Sequence, residues 1–319
     1  MPYLTLGSKR IHYTSFTPPP SDTPPKHTFL FHHGLGSSQN FFTPVIPALL
    51  AHNIQCIAFD TSGAGRSPPT GAPQSVATLA ADALAVLDAL AVPQAVVVGH
   101  SMGGLVAAEL AARHGARVAA TVWVGPVRPA AAAAAVFDAR RALVRRDGGL
   151  DELANSIPSA ATGSAAGPLA RAFVRELILA QDPVGYAAHC EVIRDAQLPA
   201  YAEIRCPVLI LAGEEDRSAP LEGCKAMFEE LQTEKELVVL PGVGHWHCIE
   251  VSRLGRSDRC FAETRGRRMS KWPSRLSSST IEYNSLLCTW VANPLQGSQQ
   301  VEFHALLRSR SGNYSRQHF

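Results

Sequence analysis

The chain of 319 residues is 46% hydrophobic and 18% charged, enough apolar sequence for one large core in one or two domains. A formal charge of +2 argues globally for neither a nucleic-acid partner nor a membrane surface, and no apolar run reaches the roughly 18 residues of a transmembrane helix. Seven cysteines, at 56, 190, 206, 224, 248, 260 and 288, contain no C-x-x-C pair, which suits reduced thiols in a cytoplasmic protein better than disulfides or a zinc site.

Polar residues Ser8, Lys9 and Arg10 interrupt the N-terminus early, so no secretory leader is expected. Tyr3–Leu6 and Ile11–Tyr13 flank Gly7-Ser8 and read as an opening hairpin, followed by a proline-rich loop from Pro18 to Pro25. Short apolar, β-branched runs then alternate with helical patterns. The predicted strands are Thr28–His32, Ile54–Phe59, Ala95–Val98, Ala119–Val124, Val208–Leu211 and Leu237–Leu240; the predicted helices lie near 42–51, 76–91, 102–114 and 221–231. Alternation of this kind predicts an α/β fold, a mostly parallel sheet buried on both faces by helices.

The alternation lapses between 129 and 204. There the sequence is alanine-rich and helical over Ala130–Arg146, Leu169–Ala180 and Tyr186–Ala196, with a Ser/Gly/Pro break at 156–168. Strand-like sequence resumes at Cys206-Pro207-Val208, so this segment reads as a helical lid inserted into a core made of 1–128 and 205–250. Arg140, Arg141, Arg145 and Arg146 in the insertion read as a solvated helix face. Residues 251–319 differ from the rest: they hold 11 Lys and Arg against 4 Asp and Glu, are rich in Ser and Arg, and are expected to form a disordered basic tail. Glu250-Val251-Ser252 is also what translation through an unspliced intron donor would produce, and a tail that binds an anionic partner is the competing reading.

Four strand ends carry the chemistry. Ala95–Val98 runs into Gly99-His100-Ser101-Met102-Gly103, a G-x-S-x-G turn between a buried strand and a helix. A lone G-x-S-x-G occurs by chance in about one chain in ten of this length, so the motif needs partners. A serine nucleophile requires a base, a group that orients the base, and an oxyanion hole. Asp216 follows Val208–Leu211 in a loop ending at Pro220, with Glu214 and Glu215 as rival acids and helix capping as the plain alternative. His245 follows Leu237–Leu240 in the turn Pro241-Gly242-Val243-Gly244, with His247 and His100 as rivals. The order Ser, Asp, His suits a G-x-S-x-G elbow. Thr28–His32 leads into His33-Gly34-Leu35-Gly36, whose Leu35 N–H and the Met102 N–H are the expected oxyanion donors. His33 reads as shaping that loop, and Asp60–Ser67 as a tight turn after a strand.

His33-Gly34, Asp60–Ser67, Gly99–Gly103, Asp216 with Pro220, and Gly244-His245 together resemble the α/β-hydrolase superfamily over about residues 28–250. The insertion sequence from Asp182 to Asp195 resembles that of 3-oxoadipate enol-lactonases, although Ser62 and Ala64 stand where that family usually has Arg and His. The resemblance implies that Ser101 attacks an acyl carbon, His245 takes its proton and Asp216 orients the imidazole. It implies a serine hydrolase without cofactor or metal, acting on a small ester or lactone. A general carboxylesterase, a hydrolase of C–C bonds, and an inactive protein of the same fold remain the alternatives.

Overall fold

The computed structural model describes residues 2–20 and 22–251 of the chain. Strands β1 (Tyr3–Leu6), β2 (Lys9–Phe16), β3 (His27–His32), β4 (Ile54–Phe59), β5 (Ala95–His100), β6 (Val118–Val124), β7 (Val208–Gly213) and β8 (Lys235–Leu240) form one sheet in the order β1-β2-β4-β3-β5-β6-β7-β8. The opening hairpin is antiparallel and β2 joins β4 antiparallel; from β4 to β8 every pairing is parallel. This is the α/β-hydrolase fold. The chain first places β4 on one side of β3 and then crosses to place β5 on the other. That reversal makes a switch point between β3 and β5, where the loops after both strands diverge and leave a crevice.

The helices are α1 (Ile46–Ala51), α2 (Val76–Ala89), α3 (Met102–Arg113), α4 (Ala134–Val144), α5 (Gly149–Ala161), α6 (Pro168–Leu179), α7 (Pro183–Arg194), α8 (Leu221–Glu230) and the single turn α9 (His247–Glu250). Every residue of β5 is buried, because both of its faces are covered. Val96 and Val98 join Phe29, Phe31 and Val122 under α1 and the inserted helices, while Ala95 and Val97 join Leu30, Trp123 and Ile210 under α2, α3 and α8. β-branched residues serve both faces of such a strand, which explains the unbroken apolar run.

Helices α4 to α7 leave the sheet between β6 and β7, where the insertion was expected. Two of the departures from the expected boundaries involve prolines. The pattern at 42–51 splits into a 3-10 turn at Gln39–Phe42 and α1, since Pro44 and Pro47 admit a helix only from its first turn onward. The break expected at 156–168 begins only after Ala161, and α5 runs through Pro158. Leu150, Leu153, Ala154, Ile157, Pro158 and Ala161 fall on one helical face, and burying that stripe outweighs the hydrogen bond a proline removes. Two hydroxyls add bonds to the helix around the proline without reaching the Ala154 carbonyl that lost its donor: Ser156 donates to the Glu152 carbonyl (2.9 Å) and Thr162 to the Pro158 carbonyl (2.6 Å). Residues 252–319, which hold nearly all of the predicted basic tail, lie outside the described residues. No helix among the described residues is long and apolar enough to cross a membrane.

Candidate active site

Ser101 sits in the one-residue turn between β5 and α3 with φ 55° and ψ −115°. A side chain at positive φ costs on the order of 1–3 kcal/mol, so surrounding structure must impose it. The Ser101 N–H donates to the Val124 carbonyl (3.0 Å), and the Ser101 carbonyl accepts from Gly104 (2.9 Å). Gly99 and Gly103 make the turn possible, because a Cβ on Gly99 would overlap the Gly103 carbonyl and one on Gly103 would overlap that of His32. The result aims the hydroxyl at the crevice from the N-terminus of α3, where the helix dipole favours negative charge.

The structure brings the three predicted residues together. Ser101 Oγ lies 2.9 Å from His245 Nε2, and His245 Nδ1 lies 2.8 Å from Asp216 Oδ2. Ser101, Asp216 and His245 are 5%, 5% and 8% exposed, so this chain of hydrogen bonds is shielded from water. Asp216 does not cap the helix that follows it, since α8 begins at Leu221 after Pro220 without a side-chain cap. Its Oδ1 accepts the Ser218 and Ala219 amides at 2.8 Å, which fixes the carboxylate, and Oδ2 is left to face His245. Burial pushes its carboxyl up, but His245 beside it and the Ala219 amide outweigh that and hold it below the ordinary aspartate value. The rival acids face elsewhere: Glu214 accepts from the Gly242 amide and Glu215 from Ser164.

The rival histidines are neighbours of His245, and neither hydrogen-bonds Ser101 Oγ. His100 Nε2 and His247 Nδ1 each donate to the carbonyl of His245, both at 2.9 Å. His100 also stacks on Phe41 with ring centroids 3.9 Å apart. Burial lowers His247 to about 4 and His100 well below the free imidazole value, so both stay neutral near pH 7.

The loop after β3 passes so close to the nucleophile that a Cβ on Gly34 would lie 2.8 Å from that of Ser101. His33 braces it: Nδ1–H donates to the Gly34 carbonyl (2.9 Å) and Nε2 accepts from the Thr61 amide (3.0 Å), which also settles its tautomer. Thr61 is held in turn by the Asp60 turn, whose carboxylate accepts the amides of Gln39 (2.8 Å) and Arg66 (3.0 Å). Neither the Leu35 nor the Met102 N–H has an acceptor among the described residues. Both predicted oxyanion donors are therefore uncommitted. No cluster of His, Cys, Asp and Glu among the described residues could hold a metal.

The inserted helices reach the same loops. His189 Nε2 donates to the Ser62 carbonyl (3.0 Å), Gln181 to that of Ser37 (3.1 Å), and Gly185 and Gly63 meet backbone to backbone. The turn after α5 touches the base directly, with His245 N–H donating to the Ala161 carbonyl at 2.7 Å and Ala165 N–H to that of Gly242 at 2.9 Å. This contact was not legible in the sequence, where 156–168 shows only turn-forming composition. In and just after α4, Arg141 and Arg145 pair with Glu191 and Arg146 with Glu152 at the surface.

A sequence profile of the alpha/beta hydrolase fold family matches residues 27–251. A protein of Variovorax paradoxus provisionally named carbamate hydrolase RutD is 44% identical over 117 residues, 36% of this chain; the match spans 44% of that relative, less than half its length. The 3-oxoadipate enol-lactonase 2 of Acinetobacter baylyi is 30% identical over 217 residues, covering 67% of this chain and 78% of that one. The crystal structure of the enol-lactonase from Burkholderia xenovorans LB400 superposes with a TM-score of 0.70 at 25% identity, covering 78% of this chain and 94% of the other.

Proposed function

The chain belongs to the alpha/beta hydrolase fold family, a family of hydrolases, and on that premise we propose that it cleaves a small carboxylic ester or lactone through a serine-bound acyl intermediate. The observation that carries this reading is the chain of hydrogen bonds from Ser101 Oγ through His245 to Asp216, at 2.9 and 2.8 Å. His245 Nε2 takes the hydroxyl proton as Oγ bonds to the acyl carbon, and Asp216 stabilises the imidazolium without accepting its proton. The carbonyl oxygen becomes an oxyanion that the Leu35 and Met102 N–H groups receive, a contribution on the order of 3–4 kcal/mol per donor. Collapse breaks the C–O bond to the leaving oxygen, which takes the proton from His245. Water then adds to the acyl-enzyme, giving its proton to His245 and releasing the acid and free Ser101. No cofactor enters these steps.

A lactone is the favoured substrate class. The insertion from Asp182 to Asp195 resembles that of enol-lactonases, and an enol-lactonase is among the similar proteins both in sequence and in structure. A carbamate is the second reading, from the relative named RutD, and it would use the same nucleophile and oxyanion donors. Steady-state kinetics on an enol-lactone, a simple aryl ester and an aryl carbamate tests the choice. We expect the highest kcat/KM on the enol-lactone; equal or better turnover of the ester or the carbamate would remove the lactonase assignment.

A further inference from the structure

Glu250 is fully buried at the end of α9, five residues past the base, and no step above uses it. Its carboxylate is surrounded by main-chain donors. Oε2 accepts the amides of Gly163 (2.7 Å) and Gly244 (2.9 Å), and Oε1 accepts that of Trp246 (2.8 Å). Gly244 and Trp246 flank His245, whereas Gly163 belongs to the turn between α5 and α6. The two segments approach so closely that a Cβ on Gly163 would overlap the Gly242 carbonyl. Within the same contact, His245 N–H donates to Ala161 and Ala165 N–H to Gly242.

We infer that Glu250 is a positioning residue for His245: its buried carboxylate clasps the loop carrying the base to the 161–165 turn of the inserted helices, and its charge faces the imidazolium formed in turnover. This rests on the assignment of His245 as the base in the proposed hydrolysis. Every main-chain polar group of His245 is then committed. Its N–H is held by Ala161, its carbonyl by His100 and His247, and the amides on either side of it by Glu250. The ring is set in place through the backbone, with Asp216 and Ser101 on its two nitrogens. Burial pushes the Glu250 carboxyl up, against the pull of the three amides and of His245 beside it. A clasp of this kind makes the insertion part of the catalytic frame as well as a cover over it.

Glu250→Gln tests the inference, because it keeps the shape but removes the charge and turns an NH2 group toward amide donors. Activity is read per active site titrated with a fluorophosphonate, so loss of folded protein does not count as loss of rate. We expect kcat to fall about tenfold or more, the scale on which small displacements of a reacting group are felt, with KM within about twofold. The acid limb of the kcat/KM profile moves to lower pH, since protonated His245 loses a nearby negative charge. Unchanged kcat per titrated site, or a lower kcat with an unmoved acid limb, overturns the inference. If Glu250→Gln yields no folded protein, Glu250→Asp replaces it: the charge remains but the reach is one methylene shorter, so kcat falls while the acid limb stays, and an unchanged kcat overturns the inference. A wild-type protein that takes no fluorophosphonate label refutes the hydrolase reading itself, whereas a labelled protein indifferent to position 250 refutes only the clasp.

Discussion

The sheet core and the inserted helices hold their residues in different ways. In the core, the loops that carry Ser101, Asp216, His245 and the Gly34 turn each leave the C-terminal end of a strand, and the ends of β3, β5 and β7 are buried on both faces while β8 is the sheet edge. Backbone geometry there is over-determined, which is how a serine can persist at φ 55°. The insertion is built from amphipathic helices with one wet face, paired across their surface by ions such as Arg141 with Glu191 at 2.9 Å. It meets the core through a continuous apolar contact, with Val174, Ile178 and Tyr186 in one cluster with Phe29, Phe31 and Phe42, and it reaches the loops through glycine contacts and single hydrogen bonds to their carbonyls. The comparison teaches that the reacting atoms are fixed by the sheet, while the insertion is free to differ in what it admits wherever it does not touch those loops.

Substitutions on the two sides should therefore differ by orders of magnitude. Ser101→Ala removes the nucleophile and should lower kcat by roughly 10⁴- to 10⁶-fold with the thermal midpoint nearly unchanged, as steady-state kinetics and calorimetry will show. Asp216→Asn leaves the shape of the site but favours the wrong tautomer of His245, and the same assay should record a loss of roughly 10⁴-fold. Gly34→Ala sets a methyl against Ser101 and displaces the loop of the Leu35 donor; a loss of about 10²- to 10³-fold in kcat, with folding retained, is expected. Arg141→Ala, on the insertion's wet face, should shift stability by less than about 1 kcal/mol in a denaturant titration and leave kcat alone. A large catalytic effect there would break the division between the two regions.

The buried interior of both regions also carries a pH liability that the insertion's surface lacks. His32 is lowered to about 3, and His189 and His247 to about 4, in each case first by burial. Their folded values lie below the free imidazole value of about 6.5, so the unfolded chain binds protons that the native protein refuses. The stabilisation is complete above about pH 6.5 and is lost as pH falls toward 4, at about 2 kcal/mol for each histidine at pH 5. That total rivals the stability of a typical domain. Thermal unfolding followed between pH 7.5 and 5 should show a steeply falling midpoint. A flat midpoint would mean that these imidazoles are not held neutral.

The parts of this arrangement that were legible in the sequence are those with local causes. The Ser101 elbow is announced by a β-branched run, two glycines and a helical pattern, and Asp216 and His245 by Pro- and Gly-bearing turns directly after apolar strands. Helix α5 was only partly legible, because Pro158 and Ser159 look like a break while the apolar stripe that overrides them takes effect only through packing on α6. The roles of His100 and His247 were hidden for a related reason. The turn after an apolar strand marks His245, but nothing local shows that the other two histidines share its carbonyl. Glu250 and Gly163 are 87 residues apart in sequence, so no window of pattern or propensity could pair them.

The central claim is that Ser101 is the nucleophile of this fold, activated through His245. Fluorophosphonate labelling of the purified full chain, read by mass spectrometry of its peptides, addresses it most directly. The account predicts one phosphonate adduct on Ser101, absent from Ser101→Ala and slowed strongly in Asp216→Asn. Folded protein that takes no label, or a Ser101→Ala variant that labels as fast as the wild type, would contradict it.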